Sequence, residues 1–383
     1  MKKVLHITNW YPNEWNTYEG LFVKEQFNVL AEVTEARLIN VQVRAGNSLF
    51  KIKHRKYNDK EEAYFILTSI KRWKVIEVFS TLLLIYVLFK EKVNKYDLLQ
   101  IHVAYPLLRF YKWWRNLFNV PILISEHWSA YHFHFNLPVT SKKLDGIMSI
   151  FWSKLPVITV SKALQKDIYA FSKNDNFKSY ILPNLIDLNT FKYTDKGNEV
   201  KPFIKFFIVN VWRRIKNPFP MLEAFSQIAK LNRDVTINIG GYGDLLESMQ
   251  QFVKDRNLET QVFFGGKLSK EDIADALYEA DAYLFSSDYE TFSVACAQAL
   301  CCGVPLLGPN IDAIREYAGK DDGIFLKENS ISEWTIAFDK FLLHFQQFNK
   351  KEIAKRAAER FSIAKFKVDY LNIIEEVIDT NMK

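Results

Sequence analysis

Glu290 and Lys216 are the residues whose type and setting most directly invite chemistry. Glu290 lies in AYLFSSDYETFSVACAQALCCGVP, residues 282–305. An apolar strand-like run ends in a polar loop, a helical stretch follows, and Gly303 and Pro305 stop it. Glu290 therefore falls in the loop at a helix N-terminus, where backbone N–H groups and the positive dipole end suit a phosphate. A carboxylate there can accept hydrogen bonds from sugar hydroxyls. The competing reading is a capping acid. Gln298 comes eight residues later, about two turns into the helix. Lys216 ends FFIVNVWRRIK, with Arg213 and Arg214 just before it. A diphosphate leaving group gathers negative charge as its bond breaks, and fixed cations lower that barrier. The competing reading is a solvated basic loop. Residues 239–244, IGGYGD, place Gly241 and Gly243 in a turn where backbone can approach a ligand or a neighbour.

Other chemistries find no support. There is no Ser-His-Asp order, no CxxC, no P-loop and no D-x-D pattern at a strand end. The three cysteines, Cys296, Cys301 and Cys302, sit within seven residues and have no partner elsewhere. They read as small buried apolar residues on one helix, not as a disulfide framework or a metal site.

Short β-rich runs alternate with longer helical ones and supply the frame for these residues. Candidate strands are 3–7, 36–41, 98–102, 121–125 and 157–160, then 206–210, 235–239, 262–264, 282–285 and 305–307. Helical stretches include 22–32, 218–231, 245–256 and 270–279. Apolar strands alternating with helices predict parallel sheets covered on both faces, an α/β fold with ligands at the carboxyl ends of the strands. Residues 184–202 are polar and weakly periodic and read as a linker. The expected division is residues 1–185, residues 186–360, and a terminal helix over 361–383 packing back on the first domain. Two doubly wound domains would face a shared cleft.

The chain has 383 residues, 49% of them hydrophobic, enough for two cores. Residues 1–180 hold 26 Lys and Arg against 15 Asp and Glu, so the net charge of +7 sits in the first half. It gathers at Lys51, Lys53, Arg55, Lys56 and Lys60, and again at Lys71, Arg72 and Lys74. Either this is a solvated face or it meets anionic lipid or an anionic acceptor. No zinc pattern or aromatic RNA-binding pattern accompanies it, so nucleic acid is not an expected partner. The most apolar stretch, 75–89, is too short to span a bilayer and contains Glu77, so a buried or interfacial helix is expected. The N-terminus shows no signal-peptide pattern and reads as a first strand, which points to a cytoplasmic protein, peripheral on the membrane at most.

The segment around Glu290 resembles the E-x7-E pattern of retaining GT-B glycosyltransferases of the glycogen-synthase-like type, glycosyltransferase family 4 (group 1 glycosyl transferases). Glu290, Phe292, Ala299, Gly303 and Pro305 match that pattern. Thr291 and Ser293 stand where glycines are common, and Gln298 replaces the second acid. The resemblance implies that Glu290 holds donor-sugar hydroxyls and that the backbone of Thr291, Phe292, Ser293 and Val294 adds donors. It implies that Gln298 touches the nucleotide ribose with an amide in place of a charge. Lys216 fits the lysine of an R-x5-K basic pair. Val211 stands where the arginine is usual, and Arg213 or Arg214 would supply the second cation.

Further matches follow in order along nearly the whole chain. Gly241 and Gly243 fit a G-x-G. Gly266, Lys267 and Leu268 follow the strand whose backbone usually contacts the base. Gly20, in WYPNEWNTYEGLFVKEQ, fits the first loop and helix, where backbone approaches the donor diphosphate or the acceptor. His127, in ISEHWSAY, sits where relatives present a histidine to the donor sugar, although a lone histidine is more often structural. His102 is a weaker candidate of the same kind.

The resemblance implies transfer of a sugar, with retention, from a nucleotide diphosphate sugar, UDP-linked by preference, to a hydroxyl on a glycan or lipid-linked acceptor. Surface-polysaccharide, capsule, lipopolysaccharide or glycolipid assembly is the expected setting. No metal and no cofactor beyond the donor is expected. Two competing readings keep the fold: a nucleotide-sugar epimerase or hydrolase, separable by product analysis without acceptor, and a non-catalytic nucleotide-sugar-binding subunit, separable by tight UDP binding without turnover.

Overall fold

The computed structural model describes residues 1–195 and 203–382 and divides into two compact units. Unit 1 runs from Met1 to Asn184 and resumes at Phe366, and unit 2 runs from Leu185 to Lys365. The last seven residues of the linker read from sequence, 196–202, lie outside the described residues.

Unit 1 carries an eight-stranded sheet. In chain order its strands are β1 (Lys3–Thr8), β2 (Glu35–Ala45), β3 (Lys51–Lys56), β4 (Glu61–Thr68), β5 (Leu98–His102), β6 (Ile122–Glu126), β7 (Val157–Thr159) and β8 (Ser179–Ile181). They lie in the order β3-β4-β2-β1-β5-β6-β7-β8, and β3–β4 is an antiparallel pair beside a parallel sheet. Helix α1 (Leu21–Leu30) follows β1, and α2 (Trp73–Lys90) follows β4. The strands that form the middle are mostly apolar, because helices cover both faces, with His6, Gln100 and His102 as buried polar exceptions. In β1, Val4, Leu5 and Ile7 are fully buried, as are Leu98, Leu99 and Ile101 in β5.

The terminal helix Ile363–Met382 returns to unit 1. There the Tyr370 hydroxyl donates to Gln100 Oε1 at 2.5 Å, and Lys367 pairs with Glu32 at 2.6 Å.

Unit 2 carries six parallel strands: β9 (Ile204–Val211), β10 (Val235–Tyr242), β11 (Val262–Gly266), β12 (Ala282–Leu284), β13 (Leu306–Pro309) and β14 (Gly323–Leu326). Their order is β11-β10-β9-β12-β13-β14. The chain reverses its direction of travel across the sheet between β9 and β12, the kind of crossing point where such sheets bind ligands. Phe206 of β9 packs on Phe338 and Phe341 at the centre of the core.

The α/β reading of the sequence is the observed architecture, with four strands added to those expected. Strands β3, β4, β8 and β14 were not legible. Strand β3 is KIKHRK on an open edge, so its charges are solvated and its period-2 signal is lost. The stretch expected over 75–89 is α2, buried on one side and exposed on the other.

Candidate functional site

In unit 2 the carboxyl ends of β9 and β12 lie side by side and deliver the two residues that the sequence singled out. After β9, Trp212 is fully buried and its indole N–H donates to the Gly240 carbonyl at 2.9 Å. The chain then turns through Arg213, Arg214 and Lys216. Both arginines are exposed, whereas Lys216 turns inward. Its Nζ lies 2.5 Å from Glu290 Oε1, with both side chains less than a fifth exposed. Ser287 donates to the same carboxylate oxygen at 2.6 Å. The pairing leaves one Glu290 oxygen and two Lys216 protons for a ligand.

The loop around this pair is held from beneath. Ser286 Oγ donates to the Lys216 carbonyl at 2.6 Å, and the Asp288 amide donates to the Ile215 carbonyl at 2.9 Å. Asn329 Nδ2 bridges the Ser286 carbonyl and Asp288, and the Trp334 indole fixes Asn329 by donating to its Oδ1 at 2.7 Å. Ser286, Ser287, Asn329, Trp212 and Trp334 were missed by sequence reasoning. The serine pair directly after an apolar strand was the one available signal.

Helix Val294–Cys301 begins after Glu290, and its preceding residue, Ser293, is left-handed at φ 66°. This conformation explains why glycine is common at that position, and Ser293 holds it at a cost of roughly 1 kcal/mol. Tyr317 steadies the strained turn, its hydroxyl donating to the Phe292 carbonyl at 2.8 Å. Phe292 itself is buried against Tyr317 and Phe361, so only its backbone can meet a ligand. Thr291, Ser293 and Val294 are partly exposed. Because the helix starts at Val294, the half-buried Gln298 stands about one turn in, where the sequence placed it two turns in. Cys296 and Cys301 are buried, and burial raises both thiol pKa values, in keeping with inert packing residues.

The glycines divide by what surrounds them. A Cβ on Gly241, at φ 110°, would collide with the Asn210 carbonyl, and one on Gly243, at φ 138°, with the Trp212 carbonyl. The IGGYGD turn is thus shaped by packing on Trp212, whose amide donates to Tyr242 O at 2.7 Å. Gly266 differs: at φ 63° it faces open space, and a Cβ there would meet nothing within 4 Å. Lys267 stacks over the Tyr242 ring at 5.0 Å, and Leu268 packs on Gly240.

In unit 1, Gly20 precedes α1 at φ 63°, and a Cβ there would collide with the Trp10 carbonyl. Its freedom serves packing of the first loop. His127 follows β6 with its ring 4.4 Å from Phe22 of α1. Burial lowers its pKa to about 3, helped by nearby His102, so the ring is neutral, and its Nε2 is buried with no hydrogen-bond partner. His102 is fully buried and shares a 3.1 Å hydrogen bond with His6, which makes it a core residue. Glu126, beside His127, was missed. It is buried and takes hydrogen bonds from the Ala104 amide at 2.8 Å and the Tyr131 hydroxyl at 2.6 Å. Burial nonetheless pushes its carboxyl up to about 7. A pocket of about 490 Å³ opens at the carboxyl ends of β1 and β2, lined by Asn9, Trp15, Glu19, Gln42 and Arg44 among others.

Among the described residues no cluster of three His, Cys, Asp or Glu could hold a metal ion, and no helix is long and apolar enough to cross a membrane.

Residues 190–360 match the family described as Glycosyl transferases group 1. The chain is 28% identical over 120 residues to N-acetyl-alpha-D-glucosaminyl L-malate synthase of Bacillus anthracis, a match that spans 31% of each protein. It is 22% identical to the UDP-Gal:alpha-D-GlcNAc-diphosphoundecaprenol alpha-1,3-galactosyltransferase of Escherichia coli, over 72% of this chain and 74% of that one. Its fold matches that of HepE from Anabaena, solved in complex with UDP, with a TM-score of 0.73 at 14% identity, over 98% of this chain and 100% of that one. The two-sheet architecture is therefore that of GT-B proteins.

Proposed function

We propose that this chain, whose residues 190–360 match the group 1 glycosyl transferases, transfers a sugar from a nucleotide diphosphate sugar to a hydroxyl acceptor. The observation that carries the reading is the half-buried Lys216–Glu290 pair at the carboxyl ends of neighbouring strands, braced by Ser287. A cation and a carboxylate held together in this way suit a donor that presents a diphosphate and sugar hydroxyls to one site.

In this reading Glu290 binds donor-sugar hydroxyls. Lys216, with Arg213 or Arg214, stabilises the diphosphate as the bond from the sugar C1 to the phosphate oxygen breaks. The acceptor oxygen forms the new bond to C1 on the same face, and its proton passes to the departing phosphate oxygen, giving retention without a protein nucleophile. The backbone of Thr291, Phe292, Ser293 and Val294 adds donors at the helix start. Gln298 touches ribose, and Gly266, Lys267 and Leu268 lie against the base. His127, neutral, offers a hydrogen bond to the sugar. The cations and the helix end take the part that a metal would otherwise play. UDP is the favoured leaving group, because UDP is what HepE was solved with.

The acceptor is proposed to be a glycan or lipid-linked hydroxyl of surface polysaccharide or glycolipid assembly, as the name of the E. coli relative suggests. The polar pocket beside Trp15 offers it a sugar-sized space. The test is a thermal-shift screen with UDP, GDP, ADP and CMP ligands, followed by turnover of the matching donor sugar. One nucleotide should raise the melting temperature. A chain stabilised by none of them would overturn the reading.

A further inference from the structure

Helix α2 is apolar on its outward side as well as its buried one, unlike a helix whose outer face meets only water. Its buried side includes Glu77, Ser80 and Thr81 beside Leu83, Leu84, Val87 and Leu88. Its outward side carries Val78, Leu82, Tyr86 and Phe89, of which Leu82 is 56% and Phe89 58% exposed. The spacing 78, 82, 86, 89 draws one stripe along the helix. Lys74, one turn before Val78, and Lys90, directly after Phe89 and bonded to the Tyr64 hydroxyl, bring cations to its two ends.

The stripe does not stand alone. Phe79 of α2 meets Phe50 at 5.5 Å, which joins the exposed Leu49, Phe50 and Ile52 to one end. Phe89 meets Phe118 at 4.8 Å at the other end, next to the exposed Leu117. Trp113, 83% exposed, stands on the same short segment. Around these residues lie exposed Lys71, Arg72, Lys112 and Arg115, in the half of the chain that holds the positive charge. Exposed apolar surface of this extent marks a docking site.

We propose that α2 and its flanks dock unit 1 on an anionic lipid surface, with the apolar stripe in the headgroup boundary and the lysines and arginines on lipid phosphates. Charge selects this occupant. A ridge tipped and ringed by cations fits a negatively charged bilayer, and a second copy of the same cationic face would repel it. Trp and Tyr at the margin suit the boundary layer. Binding holds the protein on the bilayer without a spanning helix. It stands apart from the sugar-transfer reading, since vesicle binding reports α2 and nucleotide-induced stabilisation reports unit 2.

The experiment is co-sedimentation of the full chain with vesicles of equal parts phosphatidylcholine and phosphatidylglycerol, and with phosphatidylcholine alone. The parent protein should bind the anionic vesicles, release with added salt, and leave the neutral ones. Leu82→Ser with Phe89→Ser, and separately Lys71→Glu with Lys74→Glu, should each weaken binding at least tenfold while circular dichroism and the nucleotide-induced thermal shift stay unchanged. The charge pair keeps the test decisive if the serine pair fails to fold. Three results would overturn the proposal: no binding to anionic vesicles, equal binding after both sets of substitutions, or a concentration-dependent dimer that the serine pair dissolves while vesicle binding persists.

Discussion

The Lys216–Glu290 pair sets two demands on its own residues. Each is the other's nearest counterion, so removing either leaves a half-buried charge as well as an empty ligand position. Glu290→Ala and Lys216→Ala should each lower kcat at least tenfold in folded protein, about 2–4 kcal/mol in the transition state for the lysine. The double variant should cost less than the sum, because the two act as a unit. Steady-state kinetics with circular dichroism decides it, and near-normal kcat in either single variant rejects the assignment. Gln298→Glu should tighten nucleotide binding severalfold by calorimetry, since a charged acceptor bonds ribose hydroxyls more strongly than an amide.

The buried titrating groups of unit 1 carry opposite pH signatures. The His102 imidazole has its pKa lowered to about 3 from 6.5, so its neutral form favours folding above 6.5 and that contribution is lost as pH falls toward 3. Glu126, raised from 4.5 to about 7, favours folding below 4.5 and loses that contribution as pH rises through 7. The stability cost of His102→Gln should therefore shrink toward acid, by up to about 1.4 kcal/mol per pH unit, and that of Glu126→Gln should shrink toward neutral pH. Denaturant melts at about pH 5 and pH 7 compare the two variants, and parallel curves for both would contradict the burial argument.

At the scale of elements, each glycine's setting decides what replacing it does. Gly241→Ala should unfold or severely destabilise unit 2, because a side chain there meets the Asn210 backbone. Gly266→Ala should cost only about 1 kcal/mol, the left-handed penalty, and show its effect in nucleotide affinity. Ser293→Gly should relieve the turn before helix Val294–Cys301 and raise the thermal midpoint.

These same elements show what the sequence could reveal. The central strands were legible because double burial makes them apolar runs bounded by polar turns, as in β5 and β12. Of those missed, β3 lies on an edge where solvent accepts its charges, β8 and β14 are edge strands of only three and four residues, and β4, though interior, opens on Glu61 and Glu62. Glu290 and Lys216 were visible as types in a setting. Their pairing, 74 residues apart in the chain, was not. Neither were the braces from Asn329 and Trp334, because hydrogen bonds across loops leave no periodic trace. The buried histidines looked like site candidates for the opposite reason: His102 is a polar letter at a strand end whose partner, His6, lies 96 residues away.

At the scale of the whole molecule, unit 1 is assembled from two pieces of chain that lie on either side of unit 2. Tyr370, fully buried, and Ile374 beside it belong to the short second piece, from Phe366 on, which completes a body begun by Met1–Asn184. During synthesis the ribosome must deliver all of unit 2 before those last side chains emerge. At ordinary elongation rates the interval is roughly ten to forty seconds. For that time the nascent first half carries an uncovered apolar seat where the terminal helix will settle, so unit 2 can finish folding first although it is made second. The chain's dependence on chaperones should therefore track the wait for Phe366, and premature termination anywhere in unit 2 leaves unit 1 open.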